Sequence, residues 1–433
     1  MPLAADSVPG PLSLACADVR PAAEADSVAG VAPRFVATPA DAEQASALLR
    51  AAAGLGMSVL PRGTGSRLHW GYPPASCDLL LQTARMDRVV EHAAGDLVAT
   101  VQAGVRLDRL AEVLGAAGQR LALDPPGGGT VGGVLATAAA GPLRLRYGTP
   151  RDLLIGITVV RADGTIARSG GKVVKNVAGY DIGKLFAGSR GTLGLITQAT
   201  FRLHPLPAGT AYVTAECAAA VDASAVIAKA MTSQASPVAA EIDWPAANCP
   251  VRACVALEGD PSSVAERAIA LTSLLEPGAA ASVHAGPPPW WGAGPAAQRD
   301  GTVLQIGFWP GDLGAALASI RAAAEAAGLD PAVGGSGAAG VLHAALPADA
   351  DPGAAASFVA ALRDAIGHAG PAGPGRAPRP AARANVVVLH APSEVTALTD
   401  MFGPVAAVAL MRAVKYQFDP AGTMAPGRFA GGI

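Results

Sequence analysis

The most informative segment of the 433-residue sequence is Ser58-Val-Leu-Pro-Arg-Gly-Thr-Gly-Ser66, in which a short apolar strand leads directly into a glycine loop. Gly63 and Gly65 permit a positive φ and let the backbone approach a ligand closely. Consecutive N–H groups can then converge on an anion, and the hydroxyls of Thr64 and Ser66 add two donors. The segment predicts a diphosphate cradle, although glycine-rich turns after strands are also common without any ligand.

A second glycine run, Asp124-Pro-Pro-Gly-Gly-Gly-Thr-Val-Gly-Gly133, matches G-x-G-x-x-G at Gly127, Gly129 and Gly132. A dinucleotide fingerprint of that form must follow a strand directly, and the two prolines before this run exclude a central strand. The sequence therefore argues against a Rossmann fold. We expect the run to open a short alanine-rich helix over 135–140, whose N terminus presents N–H groups to phosphate.

The third glycine segment is Gly188-Ser-Arg-Gly-Thr-Leu-Gly-Leu-Ile196, which resembles neither a Walker A loop nor a nucleophile elbow. The three segments lie about 60 residues apart, too far for one continuous loop. We expect them to converge in space around one extended ligand.

Composition limits the function classes. Hydrophobic residues make up 51% and charged residues 15% of the chain, which excludes a disordered chain. The net charge of −2 gives no general attraction to nucleic acid or to an anionic membrane. The longest apolar runs, 153–160 and 402–411, are far shorter than the ~20 residues of a spanning helix, so no direct membrane insertion is expected.

The N terminus lacks the basic and apolar regions of a signal peptide, which predicts a cytoplasmic protein. The five cysteines are odd in number and form no C-x-x-C motif. This pattern argues against a disulfide framework and against a metal or iron–sulfur site within the chain.

The pattern along the chain predicts an α+β protein with four parts. These are a loosely ordered lead-in (1–30), a first domain of alternating strands and helices (31–207), an α+β second domain (208–410) and a turn-rich tail (411–433). The first domain is expected to contain helices over 41–50 and 106–114 and strands over 58–60, 79–81, 89–92, 97–102, 154–161, 165–168 and 196–203. His204-Pro-Leu-Pro207 marks its end, because proline stiffens linkers.

Several motifs in register resemble the FAD-binding domain of the vanillyl-alcohol-oxidase-type flavoproteins. They are Arg62-Gly-Thr-Gly-Ser66, Gly129-Thr-Val-Gly-Gly133, Tyr147-Gly148 with Arg151-Asp152, Asn176-Val-Ala-Gly-Tyr-Asp-Ile182, Gly188-Ser-Arg-Gly-Thr-Leu-Gly194 and Lys415-Tyr-Gln-Phe-Asp-Pro-Ala-Gly422. The segment Gly171–Asp181 is also similar to the FAD-binding E subunits of bacterial glycolate oxidases. This resemblance implies a PCMH-type FAD-binding domain of two α/β subdomains, with an α+β cap domain and a tail that returns to the FAD domain.

The resemblance also implies positions for the cofactor. Arg62, Gly63, Thr64, Gly65 and Ser66 would hold the FAD diphosphate, and Pro126, Gly127, Gly128, Gly129, Thr130, Gly132 and Gly133 would line the diphosphate and the flavin side. Thr137, Gly141, Tyr147, Gly148 and Asp152 would flank the isoalloxazine or the ribityl chain, and Gly191, Gly194 and Ile196 would approach the adenine. Asp152 can instead cap a turn, and Tyr180 can instead be a core residue.

The chain departs from the family in three places. The first loop ends in Ser66 and holds no histidine, which implies non-covalent FAD. Ala425 stands where the family tail commonly has Asn. The Gly-Glu-His-Gly cluster of catalytic relatives is absent from the sequence after residue 207. The remaining candidates there are single residues that are equally well explained as solvated, core or interface groups: His284, His343, His368, His390, Arg252, Arg383 and the pair Trp290-Trp291.

The resemblance predicts an FAD-binding subunit of a glycolate oxidase complex that oxidises a small 2-hydroxy acid together with a second FAD-containing catalytic subunit and an iron–sulfur subunit. Any association with a membrane would then be through these partners. Two alternatives remain open at this point. One is a self-sufficient FAD-dependent 2-hydroxy-acid dehydrogenase, and the other is a structural subunit that has lost FAD.

Overall fold

The computed structural model describes residues 7–172, 180–276, 278–295, 301–367 and 384–433. The chain divides into two compact units. The first unit contains residues 1–140, 148–206 and 405–433, and the second contains residues 141–147 and 207–404.

A four-stranded sheet in the first unit carries the first glycine loop. Helix α1 (Gly10–Ala15) precedes its strands β1 (Val19–Pro21), β2 (Phe35–Ala37), β3 (Val59–Arg62) and β4 (Leu79–Gln82), which lie in the order β1-β2-β4-β3. β2, β4 and β3 are parallel, and β1 is antiparallel to β2. Helix α2 (Ala42–Gly54) makes the crossover between β2 and β3 that parallel pairing requires. The glycine loop therefore starts at the carboxyl end of β3, at the edge of the sheet.

A five-stranded antiparallel sheet follows in the same unit. Its strands are β5 (Val89–Ala93), β6 (Val98–Gln102), β8 (Leu154–Val160), β9 (Ile166–Gly170) and β10 (Leu195–Arg202), in the order β5-β6-β10-β8-β9. The short strands β7 (Gln119–Arg120) and β11 (His204–Pro205) pair separately. The helices between these strands are α3 (Leu107–Gly115), α4 (Val131–Thr137) and α6 (Pro150–Leu153). Buried side chains of α2, such as Leu48, share one apolar cluster with Leu79 of β4 and with Val160 and Leu195 of the second sheet.

The second unit is built on an eight-stranded antiparallel sheet. Its strands are β12 (Gly209–Cys217), β13 (Ala239–Trp244), β14 (Val251–Gly259), β15 (Ala280–His284), β16 (Val303–Gly307), β17 (Ala332–Ser336), β18 (Val341–Ala345) and β19 (Asn385–His390), in the order β15-β12-β14-β13-β17-β18-β16-β19. Its helices are α5 (Arg144–Tyr147), α7 (Ala220–Thr232), α8 (Pro261–Leu275), α9 (Leu313–Ala327), α10 (Pro352–Gly367) and α11 (Ser393–Thr396). The predicted α+β class is confirmed by this mixture of sheets and helices.

Most predicted elements of the first unit are present with shifted ends. The helix expected over 41–50 is α2, whose first turn is capped by the Asp41 carboxylate, which accepts from the Gln44 N–H at 2.8 Å. It continues through the alanines to Gly54, because nothing in that run opposes a helix. The helix expected over 135–140 starts four residues earlier as α4, because the Thr130 side chain caps it.

The prediction of a loosely ordered lead-in is wrong for residues 10–26. They form α1 and β1, and β1 extends the first sheet by pairing with β2. Leu12 and Cys16 are buried in the cluster that contains α2. The segment is ordered because a few apolar side chains find a core elsewhere in the chain, and so short a segment shows no helical or strand period of its own.

Every helix in the described part of the chain is too short or too polar to span a bilayer. All five cysteines are free thiols. The described residues contain no group of His, Cys, Asp and Glu side chains that could hold a metal ion.

A buried lysine of the tail bonds both to the tail itself and to the rest of the first unit. Lys415, in helix α12 (Val408–Phe418), donates from Nζ to Asp419 Oδ2 at 2.6 Å, to the Thr192 carbonyl at 2.8 Å and to the Met424 carbonyl at 2.8 Å. Beyond the helix, the chain pairs with the free edge of β3 through the bonds Val59 N–H to Thr423 O and Ala425 N–H to Val59 O, both 2.8 Å. The tail thus covers the edge strand that leads into the first glycine loop.

Replacing this lysine tests the role of the tail. Lys415→Met leaves the Asp419 carboxylate buried without its cation, and we expect the free energy of unfolding to fall by ~3 kcal/mol. Chemical denaturation followed by circular dichroism measures the loss, and Lys229→Met, at an exposed position of α7, is the matched control. Equal stability of the two variants would contradict the anchoring role.

Candidate functional site

A cleft in the first unit brings the three glycine segments together. It holds about 770 Å³ of space that is open to solvent. Twelve of the predicted cofactor residues line it: Arg62, Gly63, Thr64, Gly65, Ser66, Thr130, Gly132, Gly133, Thr137, Gly191, Gly194 and Ile196. The sequence analysis did not single out the other lining residues, which are Pro61, Arg67, Leu68, Trp70, Thr83, Ala136, Arg190, Leu195 and Arg428.

The first loop offers free backbone donors to the cleft. Within the described structure, the N–H groups of Gly63, Thr64, Gly65 and Ser66 have no hydrogen-bond acceptor. Gly65 has a φ of +79°, in the left-handed region that glycine adopts without strain. A row of partly exposed N–H groups beside a cleft is the arrangement that binds an oxyanion.

Gly63 is required for a second reason. A Cβ at this position would lie 2.1 Å from Thr130 Oγ1, which is far inside van der Waals contact. The Thr130 hydroxyl is itself occupied, since it accepts from the Gly133 N–H at 3.3 Å. The first and second glycine segments therefore touch at Gly63, and a side chain there would push them apart.

The side chain of Arg62 is held in place by the carboxylate of Asp26. Its Nη2 donates to Asp26 Oδ1 at 3.1 Å, and Arg20 donates to both oxygens of the same carboxylate. The hydrogen bonds from Arg20 lower the pKa of Asp26 to about 2, with smaller contributions from the Ala23 N–H and from Arg62, although burial acts in the opposite direction. Arg62, the last residue of β3, is therefore bonded to Asp26 in the N-terminal segment.

The second glycine segment does not present its N–H groups as the sequence analysis expected. The N–H of Val131 donates to the Val105 carbonyl at 2.8 Å, and that of Gly132 donates to the Ala103 carbonyl at 2.8 Å. The Gly133 N–H is used by the helix cap. The expectation of an open helix N terminus is wrong, because the neighbouring strand and cap satisfy the first turn of α4. This segment contributes a close-packed wall to the cleft.

Arg67 links the first and second segments. Its Nη1 donates to the Gly128 carbonyl at 2.7 Å, and its Nη2 donates to the Pro126 carbonyl. The guanidinium also lies over the Trp70 ring, 5.5 Å from its centroid. Burial lowers the pKa of Arg67, but arginine starts so high that it stays charged at neutral pH. Pro126, Gly127, Gly128 and Gly129 lie behind this link and outside the cleft lining.

The third segment closes the cleft from the opposite side. The Arg190 N–H donates to the Ala136 carbonyl at 2.7 Å, with Arg190 at a φ of +55°. A Cβ on Gly191 would lie 3.2 Å from Pro61 Cγ, so this glycine lets the third segment approach the first. The expected convergence of the three glycine segments is thus present in the described structure.

Arg190 and Arg428 bring two more positive charges to the cleft. Burial, and then the like charge of Arg428, lowers the pKa of Arg190 to about 10, and burial lowers the pKa of Arg428 to about 10. Both guanidinium groups are therefore protonated at neutral pH. None of the described residues that line the cleft is an aspartate or a glutamate. The lining has the charge and the donors for an anionic ligand.

Four predicted cofactor residues lie elsewhere. Gly141 and Tyr147 belong to the second unit, where the Tyr147 hydroxyl donates to Glu258 Oε2 at 2.7 Å. Asp152 accepts from the N–H and the hydroxyl of Thr149 at 2.8 and 2.7 Å, so it caps α6. Gly148 packs against Asp152, where a Cβ would lie 2.7 Å from the Asp152 Cβ. None of the four lines the cleft of the first unit, and their contact with a cofactor stays a prediction.

The candidates in the second unit are mostly engaged in structural contacts. Arg252 donates from Nε to Asp243 Oδ2 at 2.8 Å and lies over the ring of Trp290. Trp291 packs edge-on against Tyr212, with 5.3 Å between the ring centroids.

The histidines of this unit differ in environment. Burial, and then the charge of Arg144, lowers the pKa of His343 to about 4. His284 is exposed and shares hydrogen bonds with Thr214 and Ser282. His368, Arg383 and residues 173–179 of the Asn176 motif lie outside the described residues, and Tyr180 is exposed and is not a core residue.

Comparison with known proteins relates the N-terminal part of the chain to an FAD-binding family. Residues 33–170 match the FAD binding domain family. The glycolate oxidase subunit GlcD of Bacillus subtilis is 37% identical over 177 residues, which are 40% of this chain and 38% of the relative. The D-lactate dehydrogenase of Archaeoglobus fulgidus is 39% identical over 183 residues, 40% of this chain and 41% of the relative. The chain thus matches about two-fifths of the length of these relatives.

Solved structures share the fold over nearly the whole chain. The p-cresol methylhydroxylase structure superposes with a TM-score of 0.73 at 15% identity and covers 96% of this chain and 95% of its own. An alkyldihydroxyacetonephosphate synthase structure gives a TM-score of 0.67 at 17% identity, over 92% of this chain and 78% of its own. These likenesses confirm the predicted fold, and the family match confirms FAD as the cofactor.

The contact between Gly63 and Thr130 gives a test of the cradle. Gly63→Ala should weaken FAD binding at least tenfold, because the new Cβ displaces the loop whose N–H groups face the cleft. Titration of the flavin-free chain with FAD, followed by flavin fluorescence, measures the affinity. Gly115→Ala is the matched control, since a Cβ at that helix end meets nothing within 4 Å. Unchanged affinity in Gly63→Ala would contradict the cradle.

The Asp26 carboxylate gives a pH-dependent test. Its pKa is lower in the folded chain than in the unfolded chain, so its stabilising effect is present above pH ~4 and is lost as pH falls through about 2. Asp26→Asn should lower the free energy of unfolding by ~2 kcal/mol at neutral pH, and the difference from the wild type should shrink between pH 4 and 2. Denaturant titrations across this pH range measure it. A difference that grows on acidification would contradict the assignment.

Proposed function

We propose that this chain, whose residues 33–170 are an FAD-binding domain, oxidises a 2-hydroxy acid to the 2-oxo acid with its partner subunits. We further propose that it is the FAD-binding subunit of a cytoplasmic glycolate oxidase complex that contains a second FAD-containing subunit and an iron–sulfur subunit. Any membrane association would come from those partners. The observation that carries the proposal is the first loop, whose four N–H groups have no acceptor among the described residues and belong to residues that line a cleft with four arginines and no described carboxylate.

The cleft fits the cofactor on grounds of charge and donors. Gly63, Thr64, Gly65 and Ser66 would hold the diphosphate through their N–H groups, and the arginines of the lining offset its charge. These features also argue against a subunit that has lost FAD. Ala425, at the family's Asn position, is fully buried among Val36, Leu60 and other apolar side chains, so its methyl group serves packing there.

Oxidation of a 2-hydroxy acid removes a hydride from the α-carbon and a proton from the hydroxyl group. Bound FAD would supply the hydride acceptor. The protein must supply a cation for the substrate carboxylate and a base for the hydroxyl proton. The two electrons taken from the substrate would need a final acceptor outside the cofactor site, and the described residues hold no group of side chains that could ligate an iron–sulfur cluster.

Two of the candidates in the second unit are poorly suited to those two roles. His343 is a weak base, because burial and the charge of Arg144 disfavour its protonated form. The guanidinium of Arg252 already forms an ion pair with the carboxylate of Asp243. This is the physical reason for placing part of the catalytic machinery on a partner subunit.

A second candidate function is a self-sufficient 2-hydroxy-acid dehydrogenase. It is favoured by relatives whose names are those of whole dehydrogenases, such as the D-lactate dehydrogenases of Archaeoglobus fulgidus and, as a probable assignment, Danio rerio. The two candidates differ in whether the isolated chain can reduce its own flavin.

Anaerobic reduction of the FAD-loaded chain separates the candidates. We expect glycolate and D-lactate to leave the flavin absorption of the isolated chain unchanged, and glycolate to bleach it when the proteins encoded by adjacent genes are co-purified. Bleaching of the isolated chain would instead establish the self-sufficient dehydrogenase. Gly63→Ala, which should lack bound flavin, and Gly115→Ala, which should keep it, are the paired controls. Failure to bleach with every 2-hydroxy acid in both preparations would contradict the proposed function.

A further inference from the structure

The guanidinium of Arg428 is buried at the cleft with unused donors. Only 3% of the residue is exposed, and its Nη2 donates to the carbonyls of Leu68 and Trp70 at 2.8 and 2.7 Å. Its Nε and Nη1 have no hydrogen-bond partner within the described structure. Burying a cation whose N–H groups lack acceptors costs free energy, so we expect a negative charge to compensate for it.

Arg428 lies at a junction of three segments. A Cβ on Gly71, which has a φ of +85°, would lie 2.4 Å from Arg190 Nη1 and 2.9 Å from the Arg428 carbonyl oxygen. Gly71 closes the turn that begins at Arg67, directly after the first glycine loop. The tail, the third glycine segment and the continuation of the first loop therefore meet at Gly71.

The charged side chains that line the cleft at this junction are all positive. Burial, and then the like charge of Arg428, lowers the pKa of Arg190, as expected for two guanidinium groups that repel each other. The cleft that they line contains no carboxylate among the described residues. An anion in the cleft would offset that repulsion, whereas a neutral ligand would leave it in place.

We propose that Arg428, acting with Arg190 and Arg67, forms a cationic seat that attracts the diphosphate of FAD, in addition to the N–H groups of the first loop. The diphosphate is the ligand group of matching charge, since it carries two negative charges and the N–H row of the first loop lines the same cleft. Arg428 attracts the diphosphate electrostatically and not through hydrogen bonds, because its Nε and Nη1 atoms are closed to solvent. The inference rests on FAD binding by this domain and not on which acid the chain oxidises.

Binding of cofactor fragments to the flavin-free full chain tests the seat. ADP carries the diphosphate without the flavin, and riboflavin carries the flavin without the diphosphate. We expect Arg428→Gln to weaken ADP binding about tenfold or more and to leave riboflavin binding within about twofold. Arg428→Lys, which keeps the charge, should stay within about threefold of the wild type for ADP. Arg321→Gln, at an exposed position of α9, is the control and should change neither affinity.

Three results would overturn the seat. They are unchanged ADP binding in Arg428→Gln, equal weakening in Arg428→Gln and Arg428→Lys, and equal weakening of ADP and riboflavin. Competition between D-lactate and ADP on the wild type would also overturn it, by assigning the cations to the substrate carboxylate. These readouts do not involve turnover, so their failure leaves the proposed function standing.

A measurement on the wild type covers the case in which Arg428→Gln does not fold. The seat predicts that the Kd of ADP rises steadily as salt increases from about 0.05 to 0.5 M, while the Kd of riboflavin stays constant. A Kd for ADP that is independent of salt would overturn the proposal without any substitution.

Discussion

Four consecutive backbone N–H groups, from Gly63 to Ser66, have no acceptor in the described part of the chain and follow the end of an edge strand, and much of the first unit serves to hold them there. β3 is fixed in parallel register with β4 on one side. The tail pairs with its other edge, so the strand cannot slip. Within the described loop the printed hydrogen bond is a long one, from the Thr64 hydroxyl to the Ser66 hydroxyl at 3.4 Å, so the shape of the loop depends mainly on these neighbours and on the close contact of Gly63 with Thr130.

The need to hold this loop in place also explains where the charged side chains around it lie. Arg67 bonds to the carbonyls of the second glycine segment, and Arg62 is held by Asp26, so each cation near the loop has a structural contact as well as a charge. Arg428 holds the turn after the loop through two carbonyls and keeps two donors unused. A cleft walled by arginines and glycines, and free of described carboxylates, suits a dinucleotide diphosphate far better than a neutral ligand.

The sequence predicted the cleft through its glycines and Arg62, but it did not predict the other three arginines of the lining. Glycine runs after strands report a backbone requirement that is local, so Gly63, Gly132 and Gly191 could be assigned from the chain alone. Arg67, Arg190 and Arg428 look like ordinary loop arginines in the sequence, because their burial depends on segments that lie far away along the chain, such as residues 126–128 for Arg67 and residues 68–70 for Arg428. The local signs were that Arg67 directly follows the Arg62–Ser66 motif and that Arg190 lies within the Gly188–Gly194 motif.

Other differences have similar causes. The first turn of α4 is satisfied by Ala103 and Val105, which lie about 30 residues earlier and give no sign of this in the sequence. The segment from Gly141 to Tyr147 packs with the second unit, although it stands between two parts of the first. Asp152 could be assigned to either a cap or a cofactor contact, and its bonds to Thr149 establish the cap. Long-range contacts of this kind have no local pattern to reveal them.

The most direct measurement is a crystal structure of the full chain with ADP bound. The account predicts that the diphosphate oxygens lie within hydrogen-bond distance of the N–H groups of residues 63–66, with the guanidinium groups of the cleft around them. A diphosphate bound at the N terminus of α4, or away from the first glycine loop altogether, would contradict it.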